Sequence, residues 1–221
     1  MCNNYLYGPK SNHEGEDLLG KEPENNKVFL GAAESVRSVG PKRKVYFSLG
    51  SNMGDRLQNL SLAASAILEL DAAARFSPVY ETTPVGGPDG QDNYYNLAAE
   101  IESAVYPYDL LQFIHEVENT AKRVRKERFG PRTLDVDILL IDGVIIQSDI
   151  LTIPHPRMHE RAFVLAPLSD LVDIKSLRLF TQLYSEFKDT PWQDVLREKN
   201  MADEFLHRLE IDIDLRHRDE P

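Results

Sequence analysis

Residues 123–142, RVRKERFGPRTLDVDILLID, place a run of cations, an aromatic side chain, a Gly-Pro turn and two aspartates within twenty consecutive positions. The second half of this stretch, Thr133–Ile141, alternates polar and apolar residues and therefore predicts a β-strand. Side chains alternate in direction along a strand, so the pattern also predicts two faces. One face carries Leu134, Val136, Ile138 and Leu140, and the other carries Thr133, Asp135 and Asp137.

The two aspartates, Asp135 and Asp137, are expected to project side by side from one face of this strand. Adjacent carboxylates repel each other unless a positive group lies between them. A hard divalent cation is the usual partner, and Mg²⁺ often completes its shell with water and substrate phosphates. The pair therefore predicts a site for magnesium and ATP. A solvated strand face with two acidic side chains is the alternative that the pattern leaves open.

The first half of the stretch concentrates positive charge in an otherwise acidic chain. Arginine binds phosphate oxygens in bidentate fashion and stays protonated, so the segment suits a triphosphate and the charge that develops during phosphoryl transfer. Gly130-Pro131 predicts a hinge that lets residues 123–129 close over ATP. A surface charge run or a nucleic-acid patch is the alternative. The cations are Lys122, Arg123, Arg125, Lys126, Arg128 and Arg132, with Glu127 as the acid among them.

Composition limits the class of protein. The 221 residues are 42% hydrophobic, which is enough for one domain with extensions. A net charge of -11 argues against general nucleic-acid binding, because that function needs a basic surface. The single cysteine, Cys2, excludes an intrachain disulfide framework and a cysteine-rich zinc site. No apolar run approaches the length that spans a bilayer, so we expect no membrane partner.

The chain is expected to have three parts. Residues 1–43 show little periodicity and predict a flexible arm or linker, without the arginine-rich pattern of a transit peptide. Residues 44–185 are predicted to form the folded domain. Residues 186–221 are predicted to form a C-terminal helix, amphipathic over Trp192–Leu209, followed by an acidic tail.

The predicted domain combines strands with two helices. Helices are expected after the Gly54-Asp55 turn and from about Asp109. Asp142-Gly143 predicts a hairpin that returns the chain through residues 144–146. Together these elements predict an α+β sandwich. Strands are expected at residues 45–49, 76–85, 94–101 and 133–141.

Five segments follow the order found in a known family. They resemble 6-hydroxymethyl-7,8-dihydropterin pyrophosphokinase (HPPK), an enzyme of folate biosynthesis. The resemblance covers about residues 44–171 and implies a ferredoxin-like α/β sandwich, with a mainly antiparallel sheet, helices on one face and ligands on loops at the sheet edge. The segments are FSLGSNMGDR near Gly50, YETTPVG near Thr82, NYYN near Tyr94, FGPRTLDVDILL from Phe129 and IPHPRMHERAFVLAPL from Ile153.

The resemblance also implies the reaction and its participants. HPPK enzymes move a pyrophosphoryl group from ATP to a pterin alcohol and release AMP. Two Mg²⁺ ions would be held by Asp135 and Asp137, while Arg123 and Arg132 would stabilise the transferring group. The implied partners are ATP and 6-hydroxymethyl-7,8-dihydropterin, without nucleic acid or membrane.

Further site residues follow from the family match alone. Ser51 and Asn52 are expected to shape the turn beside the pterin, which would lie between Tyr94 and Phe163. This sequence departs from the common bacterial pattern, because Phe129 stands where tryptophan is frequent and the arginine loop is one residue shorter. The ATP side is assigned to Glu118, Arg125, Arg132, Thr152, His155 and Arg161. The pterin side is assigned to Thr82, Thr83, Pro84, Val85, Tyr94, Asn96, Phe129 and Phe163.

Other interpretations remain open from the residues alone. A phosphate-loop reading of the turn after Gly50 lacks the Walker lysine. A zinc site at His155 and His159 spans a proline and has no third ligand nearby. A glycosyltransferase would need more strand-helix repeats than the chain offers. A nucleic-acid module would use the arginines and tyrosines as a stacking groove.

The surroundings of the domain are a further expectation. Members of this family are often fused to other folate-pathway enzymes, so adjacent enzyme domains are expected as partners. The expected location is the cytoplasm, or the mitochondrion if the chain belongs to a eukaryotic fusion.

Overall fold

The computed structural model describes residues 38–121, 130–178, 180 and 206–209. Six strands form one sheet: β1 (Ser38–Ser51), β2 (Arg75–Phe76), β3 (Tyr80–Thr82), β4 (Tyr94–Val105), β5 (Asp135–Ile141) and β8 (Leu206–Arg208). The order is β5-β1-β4-β3-β8, β2 also pairs with β4, and every pair is antiparallel. A second, two-stranded sheet pairs β6 (Ile146–Gln147) with β7 (Thr152–Ile153). The described helices are α1 (Arg56–Leu70), α2 (Pro107–Thr120) and α3 (Ala162–Leu171), with 3-10 turns at Met158–Glu160 and Ile174–Ser176.

The strand β1 lies inside the sheet and separates two apolar layers. Val45, Phe47 and Leu49 project into a core with residues of α1 and α2. Tyr46 projects to the other side, into a core with residues of α3. The alternation predicted for residues 45–49 is therefore confirmed.

The first two helices begin where local chemistry satisfies their free N–H groups. The Asp55 side chain accepts a hydrogen bond from the Gln58 N–H at 3.0 Å, after Gly54 adopts a φ of 65°. α2 begins at Pro107, two residues before the predicted start, because proline lacks the N–H that a first helical turn leaves unpaired. Both predicted helices are confirmed.

The third helix lies on the opposite face of the sheet from α1 and α2. Its residues Val164 and Leu168 pack in one core with Tyr46 of β1. The expectation that helices cover only one face of the sheet is therefore wrong. The sequence did not predict α3, because Pro167 lies inside the helix and apolar residues surround its axis without a polar stripe.

The strand β5 carries an irregularity that changes one predicted face. Phe47 pairs with Ile138, whereas the adjacent Tyr46 pairs with Leu140, so β5 contains one extra residue at that point. Beyond this bulge Leu140 packs with Tyr46 in the core of α3. The prediction that Leu140 shares the face of Ile138 is therefore wrong. The two aspartates precede the bulge and remain one pleat apart.

The strand predicted at residues 76–85 is divided in two. β2 and β3 are separated at Ser77, whose N–H donates to the Ala98 carbonyl and whose hydroxyl accepts from the Ala98 N–H. Pro78 follows and has no N–H for a sheet hydrogen bond. The prediction of one continuous strand is therefore wrong.

Two further segments differ from the prediction. Gly143 forms the expected turn with a φ of 68°, but the chain that follows it pairs as β6 with β7 rather than returning along β5. Residues 206–208 form β8 on the edge of β3, where the amphipathic pattern predicts the end of a helix. Hydrogen bonds to a sheet edge override a weak helical pattern there.

The described part of the chain begins with β1. This strand starts at Ser38, six residues before the expected domain start at residue 44. The division into three parts stays a prediction, because residues 1–37 and most of residues 186–221 lie outside the described residues. Within the described ranges, no helix combines the length and the apolarity that crossing a membrane requires.

Candidate active site

A cavity of about 260 Å³ opens at one end of the sheet, where β5, β1 and β4 lie side by side. The strand register brings its residues together: Ser48 pairs with Asp137, and Gly50 pairs with both Asp135 and Asn96. Adjacent strands lie roughly 4.8 Å apart, so the acid pair and the amide face each other across one strand of small residues. The cavity therefore has an acidic side, a floor of Ser48 and Gly50, and an amide side.

Each carboxylate on the acidic side faces an arginine. Asp135 forms an ion pair with Arg132, three residues before it. Asp137 faces Arg161 with 3.9 Å between carboxylate oxygen and guanidinium nitrogen. The predicted side-by-side arrangement of the two aspartates is present, and two predicted arginines accompany it. Such a group of alternating charges suits a phosphate chain with bound cations.

The opposite side of the cavity is aromatic and neutral. The Asn96 amide is buried and donates a hydrogen bond from Nδ2 to Thr82 Oγ1 at 2.8 Å. Tyr94 lies two residues before Asn96 on the same strand face and also lines the cavity. Phe163, at the start of α3, also lines the cavity, and the Arg161 guanidinium lies over its ring at 5.5 Å to the centroid. Aromatic rings with an adjacent amide suit a flat heterocycle with donor and acceptor groups on its edge.

Burial changes the pKa values of two basic side chains beside the acidic pair, Arg161 and His155. The pKa of Arg161 is lowered, chiefly by burial, while Asp137 opposes that change. The pKa of His155 is lowered to about 4, first by burial and then by the positive charge of Arg161. The Nδ1 atom of His155 accepts a hydrogen bond from the Arg157 N–H at 3.2 Å. His155 is therefore neutral at physiological pH, with Nδ1 as its acceptor and Nε2–H as its donor.

The structure brings most predicted site residues to this cavity. Pro84, Glu118, Thr152 and His155 are described but do not line it. Arg123, Arg125 and Phe129, with the predicted closing loop, lie outside the described residues. The predicted residues that line it are Thr82, Thr83, Val85, Tyr94, Asn96, Arg132, Asp135, Asp137, Arg161 and Phe163.

Glu118 lies behind the acidic pair rather than beside the cavity. Its side chain is 4% exposed, and Oε1 accepts a hydrogen bond from the Val136 N–H at 2.9 Å. Val136 lies between Asp135 and Asp137 in sequence, so this bond joins α2 to the backbone that carries both carboxylates. A buried carboxylate with such a partner holds the strand end in place.

Four residues that line the cavity were not predicted from the sequence: Ser48, Gly50, Gly86 and Arg157. Ser48 and Gly50 belong to no recognisable catalytic motif in the sequence, and only the register of β1 against β5 and β4 brings them to the cavity. A Cβ atom on Gly50 would lie 2.8 Å from Asn96 Oδ1, so any larger residue there would have to displace the Asn96 amide. Arg157 is one of several basic residues at positions 155–161, and nothing in the sequence distinguishes it from its neighbours.

The residues present fit magnesium that also binds substrate phosphates. Asp135 and Asp137 supply carboxylate oxygens on one face of a rigid strand. Among the described residues, no group of three or more histidine, cysteine or acidic side chains could hold a metal by itself. An ion held by two carboxylates must complete its shell with water and phosphate oxygens, as Mg²⁺ commonly does.

Paired carboxylates beside arginines, facing a wall with an aromatic ring and an amide, suit an enzyme that transfers phosphoryl groups to a flat heterocycle. Residues 46–173 match the family model of 7,8-dihydro-6-hydroxymethylpterin-pyrophosphokinase (HPPK). The chain belongs to this family.

Three relatives match most of the chain, and two of them carry this activity in their names. The 2-amino-4-hydroxy-6-hydroxymethyldihydropteridine pyrophosphokinase of Bacillus subtilis is 41% identical over 165 residues, which cover 73% of this chain and 95% of that protein. The enzyme of the same name from Haemophilus influenzae is 41% identical over 150 residues, 65% of this chain and 92% of its own length. A bifunctional FolKE protein of Lactococcus lactis is 34% identical over 178 residues, 78% of this chain and 47% of its own length.

Family membership assigns the chain its reaction class. The chain is a pyrophosphokinase of folate biosynthesis that uses ATP as its co-substrate. The predicted α+β fold with a mainly antiparallel sheet is also confirmed.

Proposed function

We propose that the cavity beside Asp135 and Asp137 is where this chain transfers pyrophosphate from ATP to 6-hydroxymethyl-7,8-dihydropterin. The products are the pterin diphosphate and AMP. The observation that carries this proposal is the strand register, which sets the acid pair on β5 opposite the amide wall on β4. A phosphate chain on one side and a heterocycle on the other would meet above Ser48 and Gly50.

Magnesium belongs to the acidic side in this proposal. Asp135 and Asp137 would hold two Mg²⁺ ions together with the phosphate oxygens of ATP. The ions supply neutralisation of phosphate charge and orientation of the triphosphate. Arg132 and Arg161 already face the two carboxylates, and their side chains would reach phosphate oxygens from the same positions.

The remaining cations and polar groups on this side would hold the nucleotide. Arg123 and Arg132 would stabilise the charge of the transferring β-phosphoryl group, while Arg125, His155 and Arg161 would bind phosphate oxygens. Thr152 is proposed for the same side. Glu118 would serve it through the hydrogen bond to Val136, which fixes the backbone between the aspartates.

The aromatic side would hold the pterin between Tyr94 and Phe163. The edge of the ring would be read by the hydrogen-bonded pair of Thr82 and Asn96 and by backbone groups near Val85. Thr83 lines the same wall, and Pro84 and Phe129 are proposed to complete the pocket. Because this wall is neutral, the negative charge of the ATP phosphates would lie on the acidic side, where the magnesium ions and arginines would neutralise it.

Transfer then requires the two ligands to be aligned. The hydroxymethyl oxygen attacks the β-phosphorus, forms a new O–P bond and loses its proton to water, while the bond from that phosphorus to the α–β bridging oxygen breaks. AMP leaves with the bridging oxygen and the electron pair of the broken bond. The chain contributes position and fixed charge rather than covalent chemistry, and these effects supply most of the acceleration in such transfers.

The decisive experiment measures AMP release from ATP and magnesium, with and without 6-hydroxymethyl-7,8-dihydropterin. Pterin-dependent AMP, formed in equal amount with pterin diphosphate, is the expected result. An ordinary kinase would release ADP instead. Salt-dependent binding of single-stranded nucleic acid, with no AMP and no response to pterin, would contradict the proposal.

The neighbouring domains and the cellular location of this domain are also proposals. The bifunctional name of the Lactococcus lactis relative supports adjacent folate-pathway enzyme domains as partners. The cytoplasm is the proposed location.

A further inference from the structure

Asn52 lies behind the cavity, in the turn between β1 and α1, and is 2% exposed. The turn is held from α1, because Asn59 Nδ2 donates to the Ser51 hydroxyl at 3.2 Å and to the Met53 carbonyl at 2.9 Å. Asn52 does not line the cavity. Any effect of this side chain on the reaction must therefore pass through its hydrogen-bond partners.

Two hydrogen bonds run from Asn52 to the acidic side of the cavity. The Asn52 N–H donates to the Arg132 carbonyl at 3.1 Å, and the Arg132 N–H donates to Asn52 Oδ1 at 2.8 Å. This two-way pairing fixes the backbone of Arg132 from both directions. The Arg132 side chain extends from that fixed point to Asp135.

The amide group of Asn52 continues to the loop at residues 86–93, on the pterin side. Its Nδ2 donates to the Asp92 carbonyl at 3.2 Å and to Gln91 Oε1 at 3.5 Å. Gln91 in turn donates from Nε2 to the Gly86 carbonyl at 3.2 Å. Gly86 lines the cavity. The donor and acceptor of one buried amide therefore face opposite sides of the site, and the network fixes its orientation.

We propose that Asn52 is a positioning residue that holds Arg132 and the 86–93 loop in one fixed relation. The connection to Arg132 then supports the rate of transfer, and the connection to the 86–93 loop supports the affinity for pterin. This inference rests on the proposed function. Misplacement of reacting groups by a fraction of an ångström lowers the rate of transfer even when both ligands bind.

Two substitutions separate the two directions. Asn52→Asp keeps the acceptor for the Arg132 N–H but sets a carboxylate oxygen against the Asp92 carbonyl. We expect its KM for pterin to rise about tenfold while kcat stays within about threefold of the wild type. Asn52→Ala removes both side-chain connections. Its KM for pterin should rise by a similar factor, and its kcat should also fall about tenfold.

Arg56 provides a matched control. It supports the same loop, because it donates to the Asn93 carbonyl at 2.8 Å and lies over the Tyr95 ring at 3.6 Å. None of its described hydrogen bonds reaches Arg132. Arg56→Met should therefore raise the KM for pterin without the loss of kcat that Asn52→Ala shows.

Amide hydrogen exchange tests the connection without any assay of turnover. Protection of the Arg132 N–H should be lost in Asn52→Ala and kept in Asn52→Asp. If Asn52→Ala does not fold, the pterin KM of Asn52→Asp and its Arg132 protection decide the matter. A KM and kcat within twofold of the wild type in Asn52→Asp and Asn52→Ala would overturn the inference. A fall in kcat that only matches the loss of folded protein would also overturn it.

The wild-type protein distinguishes failure of this inference from failure of the proposed function. A wild type that releases no AMP with pterin contradicts the proposed function. An active wild type with unaffected Asn52 variants contradicts the role of Asn52 alone.

Discussion

At the scale of single residues, the position of the Asn96 amide depends on the absence of a side chain at Gly50. A Cβ atom at this position would lie 2.8 Å from Asn96 Oδ1, which is closer than real Cβ contacts. Asn96 cannot move away freely, because it is 3% exposed and bonded to Thr82. Gly50→Ala should therefore shift Asn96 and raise the KM for pterin about tenfold, with kcat within about threefold. Steady-state kinetics with varied pterin measure this.

Gly40→Ala is the matched control for that substitution. Gly40 lies on the same strand, and its added Cβ would meet the Ala104 carbonyl at 3.6 Å, an ordinary contact. Its kinetics should match the wild type. An unchanged KM in Gly50→Ala would mean that Asn96 does not read the pterin.

Asp137 allows a direct test of the metal assignment. Asp137→Asn keeps the size of the side chain but removes the charge that would bind Mg²⁺ and face Arg161. We expect kcat to fall at least about a hundredfold, and added magnesium not to restore it. AMP release at increasing magnesium concentration measures the effect.

Asp142→Asn is the control, since Asp142 follows the same strand at its far end and does not line the cavity. Its activity should stay within about twofold of the wild type. Substantial turnover by Asp137→Asn would refute the role of this carboxylate.

At the scale of elements, Glu118 joins α2 to β5. Its Oε1 atom accepts the Val136 N–H, and the side chain is 4% exposed. Glu118→Gln retains an acceptor oxygen and should leave the free energy of unfolding within about 1 kcal/mol of the wild type. Glu118→Leu leaves the Val136 N–H without its acceptor and should destabilise the protein by about 1–3 kcal/mol. Urea unfolding measures both values.

The same pair of variants distinguishes support from direct contact. If Glu118 acts through Val136, the KM for ATP should stay within about threefold in Glu118→Gln. A tenfold rise in that KM, with unchanged stability, would instead mean that the carboxylate touches the nucleotide, as the family resemblance implies.

The residues of β5 could be assigned to the cavity from the sequence, whereas those of β1 could not. Asp135 and Asp137 could be predicted because alternation along a strand is local and a charged pair is conspicuous. Ser48 and Gly50 could not, because their importance depends on the register of β1 against two partners distant in sequence. The prediction of the face on which Leu140 lies was wrong for a similar reason, because a bulge is a property of the strand pairing and not of one strand.

At the scale of the whole molecule, each face of the sheet packs against its own helices and forms its own apolar core. One core joins β1 and β4 to α1 and α2, and the other joins them to α3. α3 begins beside the cavity, where Arg161 occupies the N-cap position and Phe163 lines the cavity wall. The helix that the sequence did not predict therefore carries two residues that line the cavity. A fold class can be inferred from strand and helix patterns, but layer assignment needs the packing.

The shifted pKa of His155 makes the free energy of unfolding depend on pH. Its pKa is about 4 in the folded protein, below the ordinary 6.5, chiefly because burial penalises the charged ring. The unfolded chain therefore binds a proton between pH 6.5 and 4 that the folded protein does not. This contribution to stability is complete above pH 6.5 and is lost as the pH falls toward 4, by at most about 3 kcal/mol.

Replacing His155 should therefore flatten the acid side of the stability curve. In His155→Asn, the fall in the free energy of unfolding between pH 7 and pH 4.5 should be smaller than in the wild type by about 2–3 kcal/mol. Urea unfolding at pH 7, 5.5 and 4.5 measures this difference. His115→Asn, on the exposed face of α2, should follow the wild-type curve. Parallel curves for His155→Asn and the wild type would mean that His155 titrates alike in the folded and unfolded chain, and that burial does not keep its ring neutral.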